Sequence, residues 1–162
     1  MEEISSLEEL KKDYKEYAKK YSLPNFKELN EEFSIEKISE IETDLLLKEI
    51  RRYVADKIIH YSNFIEAIIN PSNQSIFMFS FVRSMCSKDK EKANEIYKEL
   101  SKIRLNLIKV DTTYSEEKEA EFIRNSMKSW REVKKDFLEI LEIVEKNFEE
   151  TTPVCNNKDY FG

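Results

Sequence analysis

Residues 75–86, "SIFMFSFVRSMC", decide how this chain is read, because eight of the eleven residues after Ser75 are apolar in a chain that is 37% charged. The stretch has two periods at once. Phe77, Phe79 and Phe81 alternate as in a strand, while the segment as a whole is equally a helix that is apolar all round, and periodicity alone does not separate these. The surroundings do. A lone strand among helices has nothing to pair with, so the stretch is expected to be a short buried helix and the chain all-α.

Composition points the same way. One glycine and three prolines in 162 residues leave almost no material for the tight turns that a sheet needs. Long helices joined by a few loops need very little. A chain of this length reads as one domain and can bury roughly 70% of its unfolded surface without a disulfide or a metal. The expected architecture is a single-domain bundle of five to six helices over residues 1–150, with long central and C-terminal helices, and a flexible polar tail at 151–162.

The helical pattern runs along the chain. Ser6 and Glu9 form a capping-box pattern ahead of Leu7, Leu10, Tyr14, Tyr17, Ala18 and Tyr21. Pro24 suits a first helical position, and Phe26, Leu29 and Phe33 line the short helix after it. From Ile35 to Ile69 apolar residues recur with scarcely a pause, as one helix or as two in series with an internal cap at Thr43-Asp44. Asn70-Pro71 ends this segment, with Asn70 suited to a left-handed cap. Ser87 starts the next helix, whose inner face is Ala93, Ile96, Tyr97, Leu100, Ile103, Leu107 and Val110. "DTTYS" turns the chain, and Ser115 caps a last helix reaching about Glu149, roughly 50 Å long. Ile123, Met127, Trp130, Val133, Phe137, Leu141, Val144 and Phe148 line it at near-heptad spacing.

Charge is uneven. Residues 1–50 sum to −6, residues 51–112 to +4 and residues 113–162 to −4. The acidic N-terminal stretch lacks the order of a signal peptide, no run suits a membrane span, and two cysteines make no disulfide framework. A cytoplasmic protein with no membrane association is expected.

"KKYSLPNFKELNEEFSIEKI" and "EEKEAEFIRNSMKSW" resemble segments shared by a group of all-helical archaeal proteins, an LPxFxELNxEF segment and a late KxAEFI segment. That resemblance implies an archaeal source. It implies no activity, since none is known for the group.

Several chemistries lack obligatory parts. Gly162 is the only glycine, so there is no phosphate-cradling loop, dinucleotide fingerprint, nucleophile elbow or calcium loop. His60 is the only histidine, and Lys57 stands three residues before it where a di-iron bundle carries glutamate. Glu28 and Glu31 supply the ExxE half of a magnesium-binding pyrophosphohydrolase pattern, but no aspartate follows a glutamate by three residues. His60 with Asp56 reads as an i,i+4 pair at the edge of the core, the alternative being a proton carrier without a second catalytic partner. Cys86 reads as a small buried hydrophobe, with Arg83 and Lys88 leaving room for a reactive thiol. Glu139, Glu142 and Glu145 read as a solvated face paired with Lys134, Lys135 and Lys146. No catalytic residue, metal site or cofactor is expected.

Two functional expectations remain. The first is a non-enzymatic protein-interaction or self-association module acting through helix faces, in which any part of Phe77, Phe79 and Phe81 left uncovered forms a partner groove or dimer seam. The second is a ribosome- or RNA-associated factor using the basic middle segment 51–112, through Arg51, Arg52, Lys98, Lys102 and Lys109. Glu91, Glu95 and Glu99, interleaved with those lysines, weigh against it.

Overall fold

A computed structural model describes residues 2–71, 82 and 85–151. They form five α-helices and one 3₁₀ turn, and among the described residues there is no strand. The helices are α1 (Glu2–Tyr21), α2 (Phe26–Phe33), α3 (Leu46–Ile69), α4 (Ser87–Asp111) and α5 (Glu116–Thr151), with the 3₁₀ turn at Ile35–Glu40. This is the all-α bundle the composition implies. The stretch that opened the reading, including Phe77, Phe79 and Phe81, lies outside the described residues apart from Val82, Met85 and Cys86, as does the tail 152–162.

The bundle is built on α3, α4 and α5, which pack against one another. Cross-links along their length fix the directions. Arg51 meets Asp111 while Ser62 meets Arg104, so α3 and α4 are antiparallel. Lys92 meets Asp136 near one end of α4, and the turn at 112–115 joins its other end to α5, so these two are antiparallel as well. The core along them is Ile50, Val54, Ile58, Ile65 and Ile68 from α3, Ala93, Ile96 and Leu100 from α4, and Phe122, Ile123, Met127, Trp130 and Phe137 from α5. These positions recur at three- and four-residue steps, so each helix turns one continuous apolar stripe inward.

The N-terminal elements lie over this core. Tyr14 is 2% exposed and its hydroxyl donates to the Pro24 carbonyl at 2.6 Å, tying α1 to the loop that leaves it. Tyr21 donates to Glu116 at 2.5 Å, beside a 3.0 Å pair between Lys20 and the same carboxylate, which fastens the end of α1 to the start of α5.

Four local expectations are corrected. α1 begins at Glu2, so Ser6 is inside the helix and its hydroxyl donates to the Ser39 carbonyl instead of capping. Pro24 precedes the cap of α2; Asn25 is the cap, its side chain accepting from the Lys27 amide at 2.9 Å. Between α2 and α3 the chain is not α-helical. Ile35 and Ile38 are both buried because residues three apart eclipse in a 3₁₀ turn. The chain then extends, and the Thr43 hydroxyl accepts from the Leu45 amide at 3.0 Å, a local turn that delays α3 to Leu46. Asn70 closes α3 with φ −125° and ψ 77°, outside the left-handed region.

With its sole glycine at position 162, the chain fills its left-handed helix ends with serine. Ser22 (φ 53°) follows α1, where the Leu23 amide reaches back to the Ala18 carbonyl at 3.1 Å, and Ser34 (φ 56°) follows α2. A Cβ in this conformation costs about 1 kcal/mol. Ser22 is exposed, and among the described residues its hydroxyl makes no hydrogen bond that glycine would lose. Ser22→Gly is therefore expected to raise the melting temperature by about 1–3 °C, read by circular dichroism, against a smaller gain for Ser34→Gly, where the hydroxyl also accepts from Lys57 at 3.4 Å.

Candidate interaction surfaces

The basic residues singled out in the sequence do not share one open face. Arg51 is 8% exposed and turned into the bundle, where its Nε donates to Glu119 at 2.6 Å and its guanidinium meets Asp111 at 2.7 Å. Burial raises the Glu119 carboxyl above its ordinary range, against the opposing pull of Arg51. Arg51 thus ties α3 to α4 and α5 and offers no charge to a surface partner. Arg52 is exposed and lies 3.1 Å from Glu49.

Lys98 and Lys102 project from α4, each paired with the glutamate three residues earlier, Glu95 at 2.8 Å and Glu99. The Lys98 ammonium holds the Glu95 carboxyl below its ordinary value. Lys109 is exposed, and no ion pair reaches it among the described residues. Between these lysines the structure places two residues that the sequence reading passed over. Leu105 is 62% exposed and Ile108 is 63% exposed, one turn apart on the outer face of α4. Lys98, Ser101, Leu105 and Ile108 follow the three–four spacing of a helix-packing seam. The signal was in the sequence: both aliphatic residues fall off the inner stripe.

A second surface lies between α1 and the start of α2. A groove of about 470 Å³ is floored by Tyr14, Leu23 and Phe26 and framed by Lys11, Lys15 and Lys27. Tyr14 stands edge-on to Phe26 with ring centroids 5.3 Å apart, so the floor is held from below.

His60 is exposed and its ring lies 5.9 Å from that of Tyr61. Cys86 is not buried: it is an exposed free thiol at the start of α4, 3.0 Å from an Asp89 carboxylate oxygen. The expectation fails because the apolar run ends one residue earlier, at Met85, and Cys86 occupies the extended cap position. Glu139 pairs with Lys92 and Lys135. Trp130 and Phe137 are core residues, with Tyr61 stacked on the indole at 4.6 Å. Among the described residues no group of three or more His, Cys, Asp or Glu side chains is placed to hold a metal ion, and no helix is long and apolar enough to cross a membrane.

Fold and surface together define an all-α bundle presenting an aliphatic helix face and a lysine-framed groove. Comparison with protein-family models, with curated proteins and with solved structures found no match in any of the three. The resemblance to archaeal proteins therefore rests on the two quoted segments alone.

Proposed function

We propose that this protein is a non-enzymatic interaction module that docks a partner protein through helix faces, with the outer face of α4 as its principal surface. The observation that carries this reading is the pair Leu105 and Ile108, each more than 60% exposed although the bundle has an ample core in which to bury aliphatic residues. Single exposed aliphatics are ordinary, but two on adjacent turns form a patch that a second helix covers well. The flanking Lys98, Lys102 and Lys109 favour a partner helix whose apolar stripe is bordered by acidic residues. An exposed free thiol at Cys86 fits the reducing interior of a cell, in keeping with a cytoplasmic home.

Burying a leucine or isoleucine contributes about 1.5–3 kcal/mol. The variant Leu105→Lys/Ile108→Lys is therefore expected to weaken partner binding by at least tenfold, on the order of 1.4 kcal/mol, without lowering the melting temperature. Capture on wild-type and variant protein, with and without nuclease and at high salt, tests this. A protein retained by the wild type through both treatments and lost by the variant supports the reading. Loss of every captured species with nuclease favours the RNA-associated alternative, in which Arg52, Lys98, Lys102 and Lys109 meet phosphates and affinity falls steeply with salt.

A further inference from the structure

The groove between α1 and α2 and the far end of α5 are complementary. With 36 residues, α5 is about 54 Å long, whereas α3 with 24 and α4 with 25 span only about 36–38 Å. Ile140 is the last fully buried residue of α5, and Leu141, Ile143 and Val144 after it are partly buried against the core. Beyond it the helix carries Glu142, Glu145, Glu149 and Glu150 against one lysine, Lys146, and none of these four carboxylates forms an ion pair among the described residues. Leu138, Glu142, Glu145 and Glu149 follow i, i+4, i+7, i+11 spacing and so lie on one face, with Leu138 46% exposed at its head. That face is acidic with an aliphatic anchor.

The groove has the opposite character. Lys11, Lys15 and Lys27 frame it, no acidic residue lines it, and its floor of Tyr14, Leu23 and Phe26 is aromatic and aliphatic. Lys11 pairs with Glu8 at 2.7 Å, Lys15 has no ion-pair partner among the described residues, and Lys27 is held only by a 3.9 Å contact with Glu31. Its volume, about 470 Å³, is that of a site that takes one or two large side chains. Within one chain the two lie apart: the groove lies against the Arg124–Arg131 part of α5 through the Arg131–Glu28 pair and Pro24, about three turns before Glu142.

We infer that the exposed Leu138–Glu149 face of α5 in one copy docks in the α1–α2 groove of a second copy, with Leu138 on the apolar floor and Glu142, Glu145 and Glu149 against Lys11, Lys15 and Lys27. Each chain carries both halves of the contact, so a two-fold pair makes it twice. The mode is a helix face laid in an apolar groove, with charge setting orientation and partner choice. It is independent of the α4 face, which remains open in the pair.

A charge-swap experiment on the full chain tests this. Wild-type protein is expected to sediment as a concentration-dependent dimer that weakens as salt rises. Lys11→Glu/Lys15→Glu/Lys27→Glu and, separately, Glu142→Lys/Glu145→Lys/Glu149→Lys are each expected to weaken dimerisation on the order of 100-fold, and mixing the two variants restores it in a mixed dimer. All the changed side chains are at the surface, and unchanged melting curves confirm folding. Leu105→Lys/Ile108→Lys leaves the dimer intact, which separates this contact from the α4 face. A wild-type chain that stays monomeric at its highest soluble concentration overturns the inference. So does a dimer indifferent to both reversals, or two reversed variants that fail to pair with each other.

Discussion

Glu119→Leu is expected to be among the most damaging single substitutions in this protein, costing about 3–5 kcal/mol, a large share of the 5–15 kcal/mol that holds a domain of this kind. The reason lies in what it leaves behind. Glu119 is 1% exposed and accepts from Arg51 at 2.6 Å, deep between α3 and α5. Without the carboxylate, the Arg51 guanidinium stays in the bundle with only the half-exposed Asp111 to meet it. A buried charge left with only one half-exposed partner is costlier than a missing contact.

The same geometry predicts that removing both partners does little harm. Arg51→Met/Glu119→Leu replaces a buried ion pair with apolar side chains of similar bulk, and such exchanges are commonly neutral or stabilising. Chemical denaturation of the two single variants and the double variant measures this directly. The coupling between the sites should come out favourable and well above 1 kcal/mol. Additive losses would mean that the pair is better solvated than its burial implies. The pH dependence has a definite sign. Burial raises the Glu119 carboxyl in the folded state, so the folded chain holds that proton more tightly than the unfolded one. Its contribution to stability is therefore most favourable below the ordinary carboxylate range and is lost as pH rises through the raised value.

Arg51 also shows where the sequence was and was not legible. It stands next to Arg52 in a basic segment, which by sequence alone reads as surface charge. Its position, four residues after Leu47 and three before Val54, nevertheless places it on the buried stripe of α3. What periodicity cannot show is its partner, because Glu119 is 68 residues away. The long elements were legible for local reasons: α4 and α5 each have an uninterrupted stripe, and "DTTYS" between them is a run of weak helix formers that favour turns and caps. The segment 35–45 was not. Ile35, Ile38 and Ile41 recur at steps of three, a spacing that both an α-helix and a 3₁₀ turn satisfy, and the choice is made by packing under α1. Leu105 and Ile108 were visible as off-stripe aliphatics. The lysine-framed groove was not, since it exists only once the loop at 22–25 folds Phe26 back against Tyr14.

Trp130→Ala is the second substitution expected to have a large effect, at about 3–5 kcal/mol. The indole is 3% exposed and lies against Tyr61 at 4.6 Å and Phe137 at 5.4 Å, so its loss opens a cavity bordered by two rings from α3 and α5. It also carries a polar link. Its Nε1 donates to Glu32 at 2.8 Å, and Lys134 pairs with the other oxygen of that carboxylate at 2.6 Å, so Glu32 makes two links from α2 to α5. Trp130→Phe separates the two contributions. It keeps most of the ring packing and removes only the donor, so a loss of about 1.5–3 kcal/mol is expected, the worth of a hydrogen bond to a charged group. The two variants should also differ from wild type in acid. Partial burial on its own would raise the Glu32 carboxyl, but the bonds from Lys134 and Trp130 override it and hold the group below its ordinary value of 4.5. Stability from that site is complete above the ordinary value and is lost as pH falls through the lower folded one. Removing the indole donor moves Glu32 back toward its ordinary value, so the stability that Trp130→Phe loses near neutrality should narrow as the pH is lowered below 4.5. Equal losses at neutral and acid pH would show that the indole acts through packing alone.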